Sequence, residues 1–322
     1  MTSISFRAAS RAAMLGAFAL SPACALACSS CGCTLSSDWD SQGFATRPGL
    51  RFDLRYDYLN QAQLRTGTGK VDRAGIALPA GREIEQGTLN RYITFGLDYS
   101  PNADWGINLQ VLYINRFHTT VAEGDTDTSS SRTNSIGDTR VVARYQGLTA
   151  ERNIGIQFGL KLPTGDFRKQ FSGGPQAGEP LDRGLQPGSG TTDLLLGAYH
   201  FGAINRDWDY FVQGLVQVAL NSRDEYKPGS SLNLNAGLRY AAYEWVIPQL
   251  QVNVRTVRPD SGANADTPNS GGTLAYLSPG ATFNVTGNVK VFGFLQLPIY
   301  QNVHGFQLAP RWTVSVGLRY EL

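Results

Sequence analysis

From Gly49 onward, apolar and polar residues alternate with a period of two. Leu50, Phe52, Leu54, Tyr56 and Tyr58 share one parity, and Arg51, Asp53, Arg55 and Asp57 share the other. That period puts the two sets on opposite faces of an extended strand. Two arginines and two aspartates on one face cannot pack into a dry core, so that face is predicted to be wet or mutually paired, and the apolar face must meet something apolar outside. The pattern recurs at Ile93, Phe95, Leu97 and Tyr99, and at Trp105, Ile107, Leu109, Val111 and Tyr113. It returns at Leu232, Leu234, Leu238 and Tyr240, and in the last residues at Trp312, Val314, Val316, Leu318, Tyr320 and Leu322. Twelve such segments of roughly ten residues are predicted, the length a tilted strand needs to cross a bilayer.

The connections alternate as well. Short turn-rich ones fall at 100–104, 147–153, 202–207, 242–244 and 286–288, and long polar ones at 60–87, 117–137, 163–190, 222–229, 257–272 and 301–311. Long and short in turn is the order of extracellular loops and periplasmic turns. Aromatics recur beside the short turns: Tyr99, Trp105, Tyr145, Phe201, Trp208, Tyr243 and Trp245. Such a girdle belongs at a membrane interface. The expected fold is all-β: a transmembrane antiparallel up-and-down barrel of about 12 strands over residues 49–322. A final strand apolar at every second position is the kind of signal outer-membrane assembly machinery reads.

Composition sharpens this picture. Only 17% of the 322 residues are charged, against 36 glycines and 11% aromatics. Beyond the first thirty or so residues no apolar run approaches the ~20 needed for a membrane-spanning helix. Residues 1–27 read as a secretory signal: Arg7 and Arg11, an apolar stretch from Ala12 to Leu20, and the Ala25-Leu26-Ala27 cleavage site. Removing Arg7 and Arg11 leaves 26 basic against 26 acidic residues, a balance that argues against nucleic acid as a partner. Residues 28–48 form a cysteine-bearing periplasmic segment. Cys28, Cys31 and Cys33 are either thiolate ligands for a soft metal, or one disulfide with a spare thiol, or an acylated Cys28 beside a pair. No bound cofactor is otherwise expected.

By parity, the basic side chains assigned to the lumen are Arg51, Arg55, Arg116, Arg140, Arg144, Lys161, Arg239, Arg255, Lys290 and Arg319. The acidic ones are Asp53, Asp57, Asp98, Asp138 and Glu321. A two-to-one basic lining would favour anions if the pore is open, and Arg–Asp pairs would plug it if it is not. Tyr92, Phe211, Tyr276, Phe292, Phe294 and Tyr300 are expected inside, lining a path for aromatic solutes or filling space. Loops 60–87 and 163–190 are the candidates to fold inward. His118 and His304 are expected in solvent beside the loops. With His200 they are the only histidines, and no Ser–His–acid arrangement can be named, so no enzyme is expected.

At Ser135-Ile136-Gly137-Asp138, at Leu160-Lys161-Leu162-Pro163-Thr164-Gly165-Asp166, and at Gly188-Ser189-Gly190 leading into Asp193, the chain resembles the outer-membrane barrel family labelled "MetA-pathway of phenol degradation". The resemblance runs best from about 135 to 322. It implies a barrel of transporter type, with outer-membrane lipid and small solutes as partners, and leaves the solute unspecified. The reading is therefore an outer-membrane channel for small solutes, anionic or aromatic. The alternative is a structural or assembly barrel with a plugged lumen and a metal- or partner-binding cysteine segment.

Overall fold

The computed structural model describes residues 48–322. Cys28, Cys31, Cys33 and the expected signal sequence over residues 1–27 lie outside the described residues. Thirteen strands follow in order: β1 (Gly49–Gly67), β2 (Gly69–Lys70), β3 (Ile84–Ser100), β4 (Trp105–Val121), β5 (Thr128–Ile136), β6 (Thr139–Tyr145) and β7 (Ile154–Leu162). Then come β8 (Asp193–Ala203), β9 (Trp208–Ala219), β10 (Ser231–Tyr240), β11 (Val246–Val257), β12 (Gly272–Asn284) and β13 (Val289–Glu321). Eleven of them close a ring of antiparallel neighbours, with β13 meeting β1; β2 and β5 lie off that path.

A ring whose every neighbour pair is antiparallel needs an even number of staves. The 33-residue β13 resolves the count by serving twice. Its residues 290–303 pair with β12, and its residues 303–321 pair with β1. The two arms meet where the Glu321 amide donates to the Asn288 carbonyl at 2.8 Å, Lys290 pairs with Glu321 at 3.0 Å, and Gln301 Nε2 donates to the Pro310 carbonyl at 2.8 Å. The wall is crossed twelve times, as the alternation predicts.

The five short turns fall where expected. Two are built from one device: Asn102 Oδ1 accepts from the amides of Asp104 and Trp105, and Asn205 Oδ1 from those of Asp207 and Trp208. Each asparagine closes an Asx turn that delivers a tryptophan to the membrane edge.

At the opposite end the strands run longer than ten residues. β1 has 19 residues, β3 and β4 have 17 each, and the expected loop at 117–137 is mostly a β4–β5 hairpin. The expected loop at 301–311 is likewise continuous β13. The lipid belt stays near the expected length, because the unbroken run of outward apolar residues ends at Tyr58, Ile93 and Tyr113, where Asn60, Arg91 and Asn115 follow. The strand ends beyond these polar positions stand above the bilayer.

β5 and β6 together make one stave. The lower part of β4 pairs with β6 and its upper part with β5, with a one-residue change of register at Gly137-Asp138. β7 ends at Leu162, so β5 has no strand on its far side and meets the long loop instead, through a bridge from Ser130 to Gly173.

Candidate functional site

The three quoted motifs converge on one point of the inner wall. Asp138 Oδ1 accepts from the Gly165 amide at 3.1 Å, while its Oδ2 accepts from the Ser189 amide at 3.0 Å and the Ser189 hydroxyl at 2.9 Å. Lys161 Nζ lies 3.2 Å from Asp138 and 2.9 Å from Asp193. The Thr191 hydroxyl donates to Asp193 at 2.8 Å, and Gln217 donates to it at 2.5 Å. The glycines are there because the two roots of the loop touch: a Cβ at either Gly165 or Gly188 would stand 2.7 Å from the other's Cα. These motifs therefore tie both ends of the 163–192 loop to the wall.

The loop itself folds into the barrel. Its Phe171, Leu181 and Leu185 form a buried apolar cluster. Arg116 holds it from β4, Nη1 donating to the Leu185 carbonyl at 2.6 Å, Nε to Asn90 Oδ1 at 2.6 Å and Nη2 to the Tyr92 hydroxyl at 3.0 Å. Gln186 bonds the Lys169 and Leu181 carbonyls, giving the loop an internal frame.

Nearer the periplasmic end the lumen is braced by ion pairs. Asp98 receives Arg51 at 3.0 Å and Arg144 at 2.9 Å, and both arginines also reach the Ser100 hydroxyl. Arg319 grips Asp53 through two bonds of 2.8 and 3.1 Å. Arg55 pairs with Asp57 at 2.9 Å and Arg239 with Asp209 at 2.8 Å. The other three cations bond neutral acceptors: Arg116 as above, Arg140 to Gln217 at 3.2 Å and Arg255 to Asn233 at 2.9 Å.

Across β7 to β12 a band of uncharged side chains runs between the charged positions: Gln213 donates to Gln157 at 2.8 Å, Asn235 to Gln213 at 3.2 Å, Asn253 to Asn235 at 2.9 Å, and Ser278 to Asn253 at 2.6 Å. Gly197 of β8 leaves the room through which Gln157 reaches β9.

Several expectations need correction. Asp193 and Asp209 also face inward, so the lining is nearer balance than two to one, and its cations are engaged. Tyr300 points outward and is 46% exposed, because a bulge between Ala275 and Tyr276 inserts one residue opposite and reverses parity. Tyr92, Phe211, Tyr276, Phe292 and Phe294 are buried. His118 is fully buried rather than solvated, bonded to the Thr88 hydroxyl at 2.8 Å and 6.3 Å from the Phe171 ring. Burial, then the charge of Arg116, push its pKa down to about 3. Among the described residues no histidine hydrogen-bonds a serine hydroxyl. His200 meets the Tyr210 hydroxyl, and His304 meets the Ser270 carbonyl.

No protein-family model matches the chain, and no curated protein matches it. Solved structures do. An outer membrane channel from Pseudomonas putida F1 is 13% identical, with a TM-score of 0.62 over 86% of this chain and 97% of that one. The beta domain of a Bordetella autotransporter, BrkA, is 10% identical, with a TM-score of 0.50 over 85% and 100%. The chain thus has the fold of an outer-membrane β-barrel, and its outward apolar belt fits that fold to a bilayer. The resemblance read from the motifs agrees at the level of that fold.

Proposed function

We propose that the protein is an outer-membrane channel for passive passage of small solutes, with the lining residues named above as its wall and the 163–192 loop as its constriction. The observation that carries this reading is the loop: a chain segment anchored at both roots and held by Arg116 sits inside a ring of polar staves. A barrel that served only as a membrane anchor has no need of it. Because most of the lumenal cations are paired with carboxylates, the field they leave for anions is reduced, and selection is expected to follow size and polarity.

Planar-bilayer recording tests the reading. Small, discrete conductance steps are expected from purified protein, and a deletion that shortens 167–186 should enlarge them. Silence from both proteins, with correct folding verified by circular dichroism, would reject a channel.

A further inference from the structure

Phe167, the residue that follows the Pro163-Thr164-Gly165-Asp166 root, carries three guanidinium groups around its ring. Arg183 stands 5.2 Å from the ring centroid, Arg223 5.3 Å and Arg168 5.4 Å. Arg183 is also 4.8 Å from the centre of the Tyr226 ring. It opens the single turn Arg183–Leu185, for which Asp182 supplies no side-chain cap. Its Nη2 donates to the Ser189 carbonyl at 2.9 Å and to the Arg223 carbonyl at 3.3 Å, so the 163–192 loop and the β9–β10 connection are joined through this one side chain. The last glycine of Gly188-Ser189-Gly190 makes the room. A Cβ at Gly190, where φ is +72°, would stand 2.7 Å from Arg223 Cγ and 3.3 Å from Phe167 Cδ1.

These cations differ from those of the lumen in lacking strong acidic partners. Arg223 meets Asp224 at 3.6 Å with both side chains about half exposed, a pair worth little in water. Asp166 is taken by Lys169 at 2.8 Å, and its only bond to Arg168 is to the backbone amide. Glu225, exposed beside Asp224, forms no ion pair with any of the three among the described residues. The Arg168 guanidinium has the Phe167 ring alone, and Arg183 Nε is buried without a hydrogen-bond partner.

Three cations and one weakly held acid leave a surplus of two positive charges on one ring. Gathering like charges is unfavourable, and an anion bound among them removes that cost. A carboxylate carries one charge and offers one planar edge to one guanidinium fork. A phosphate monoester carries about two charges near neutral pH and offers three oxygens, which matches both the surplus and the number of forks. We infer that Arg168, Arg183 and Arg223, gathered on Phe167, form a binding site for a phosphate monoester group at the outer rim of the barrel.

The height of the cluster fits that ligand. The outward apolar residues of β9 run through Val212, Val216 and Val218 to Leu220, just past its end, and those of β7 end near Leu160. Arg223 and Phe167 follow these positions directly, at the level of lipid headgroups. Two carriers present a phosphate there: the headgroup of a phosphorylated lipid in the outer leaflet, and a phosphorylated solute approaching the loop from outside. The site goes beyond the channel reading and does not depend on conduction.

Two binding measurements on the full-length folded protein test it and separate the carriers. In neutral detergent at low ionic strength, inorganic phosphate is titrated by calorimetry, with acetate as the carboxylate control. In the second arm, protein from phosphatidylcholine vesicles containing a minor share of phosphatidic acid is extracted gently and weighed by native mass spectrometry. The double variant Arg168→Gln, Arg223→Gln changes two exposed side chains and should keep the fold, checked by circular dichroism. Its binding should be weaker by at least about tenfold. Arg132→Gln removes another exposed arginine that lies over a ring, 5.6 Å from Phe117, and should bind as the wild type does. Phosphate binding that the double variant loses supports the site with a free solute as carrier. Retention of phosphatidic acid by the wild type and not by the double variant supports it with lipid as carrier. Binding of neither probe, acetate bound as tightly as phosphate, equal binding by the double variant, or an equal loss in Arg132→Gln would each overturn the site.

Discussion

Lys161→Met probes the junction where the motifs meet. Lys161 sits between Asp138 and Asp193, all three side chains being less than a tenth exposed. Methionine keeps the length and apolar stem while removing the ammonium that bridges the two carboxylates. Breaking a buried pair by removing one partner costs about 3–5 kcal/mol, because the other charge stays behind. Here two charges stay behind, although each keeps hydrogen bonds: Asp138 to Gly165 and Ser189, Asp193 to Thr191 and Gln217. Those donors argue for the lower end, about 3 kcal/mol. Urea unfolding in lipid vesicles, followed by tryptophan fluorescence, measures the loss. The carboxylates are the cause only if neutralising them restores stability, so the triple variant Lys161→Met, Asp138→Asn, Asp193→Asn should recover at least about half of it. Because the same lysine roots the inward loop, Lys161→Met should also make the conductance larger and noisier. A single variant within about 1 kcal/mol of the wild type, or a triple variant less stable than the single one, would refute the reasoning.

Three further outcomes are expected. Val212→Arg, on the outward face of β9 within the belt, should cost about 2–4 kcal/mol of unfolding free energy in vesicles, whereas Gln213→Arg next to it faces the lumen and should disturb conductance more than stability. Asn205→Ala removes the acceptor of the Asp207 and Trp208 amides and should cost about 1 kcal/mol in the same assay, with Asn102→Ala behaving alike; no change in either would remove the Asx turns from the account. Arg319→Ala leaves Asp53 buried without its two bonds and should destabilise by about 3 kcal/mol, an effect that Asp53→Asn in the same chain should relieve.

The staves were legible because a strand's two faces meet different solvents. Lipid on one side and polar neighbours on the other impose the period of two on every residue from Leu50 to Tyr58, with the apolar set facing outward around the ring. Parity fails only where register does. Tyr300 misleads because the bulge opposite Ala275 and Tyr276 leaves no trace in composition. Strand length is hidden for a related reason: above Arg91 and Asn115 no lipid enforces alternation, so the upper part of the β4–β5 hairpin, from 117 to 136, looks like loop. Pairing was the least visible feature. Asp193 and Asp209 sit at inward parity, and that signal was available, but nothing in spacing says that Arg51 and Arg144 converge on one aspartate from two staves.

The same reasoning separates what the fold explains from what it does not. A membrane channel and an autotransporter domain share this barrel, so closure, belt and girdle follow from living in a bilayer and say nothing about cargo. What distinguishes the chain must lie in features that a bilayer does not demand. The paired glycines at 165 and 188, the Asp138–Lys161–Asp193 junction and the uncapped Asp182 meet that condition. All three lie in one loop or at its roots, and each is costly for a barrel that needs only to stay folded: close backbone contact, three buried charges, and a buried carboxylate oxygen without a hydrogen bond. Their concentration at that loop makes it the feature of this chain that a bilayer alone does not explain, and the place where the proposed channel reading is tested.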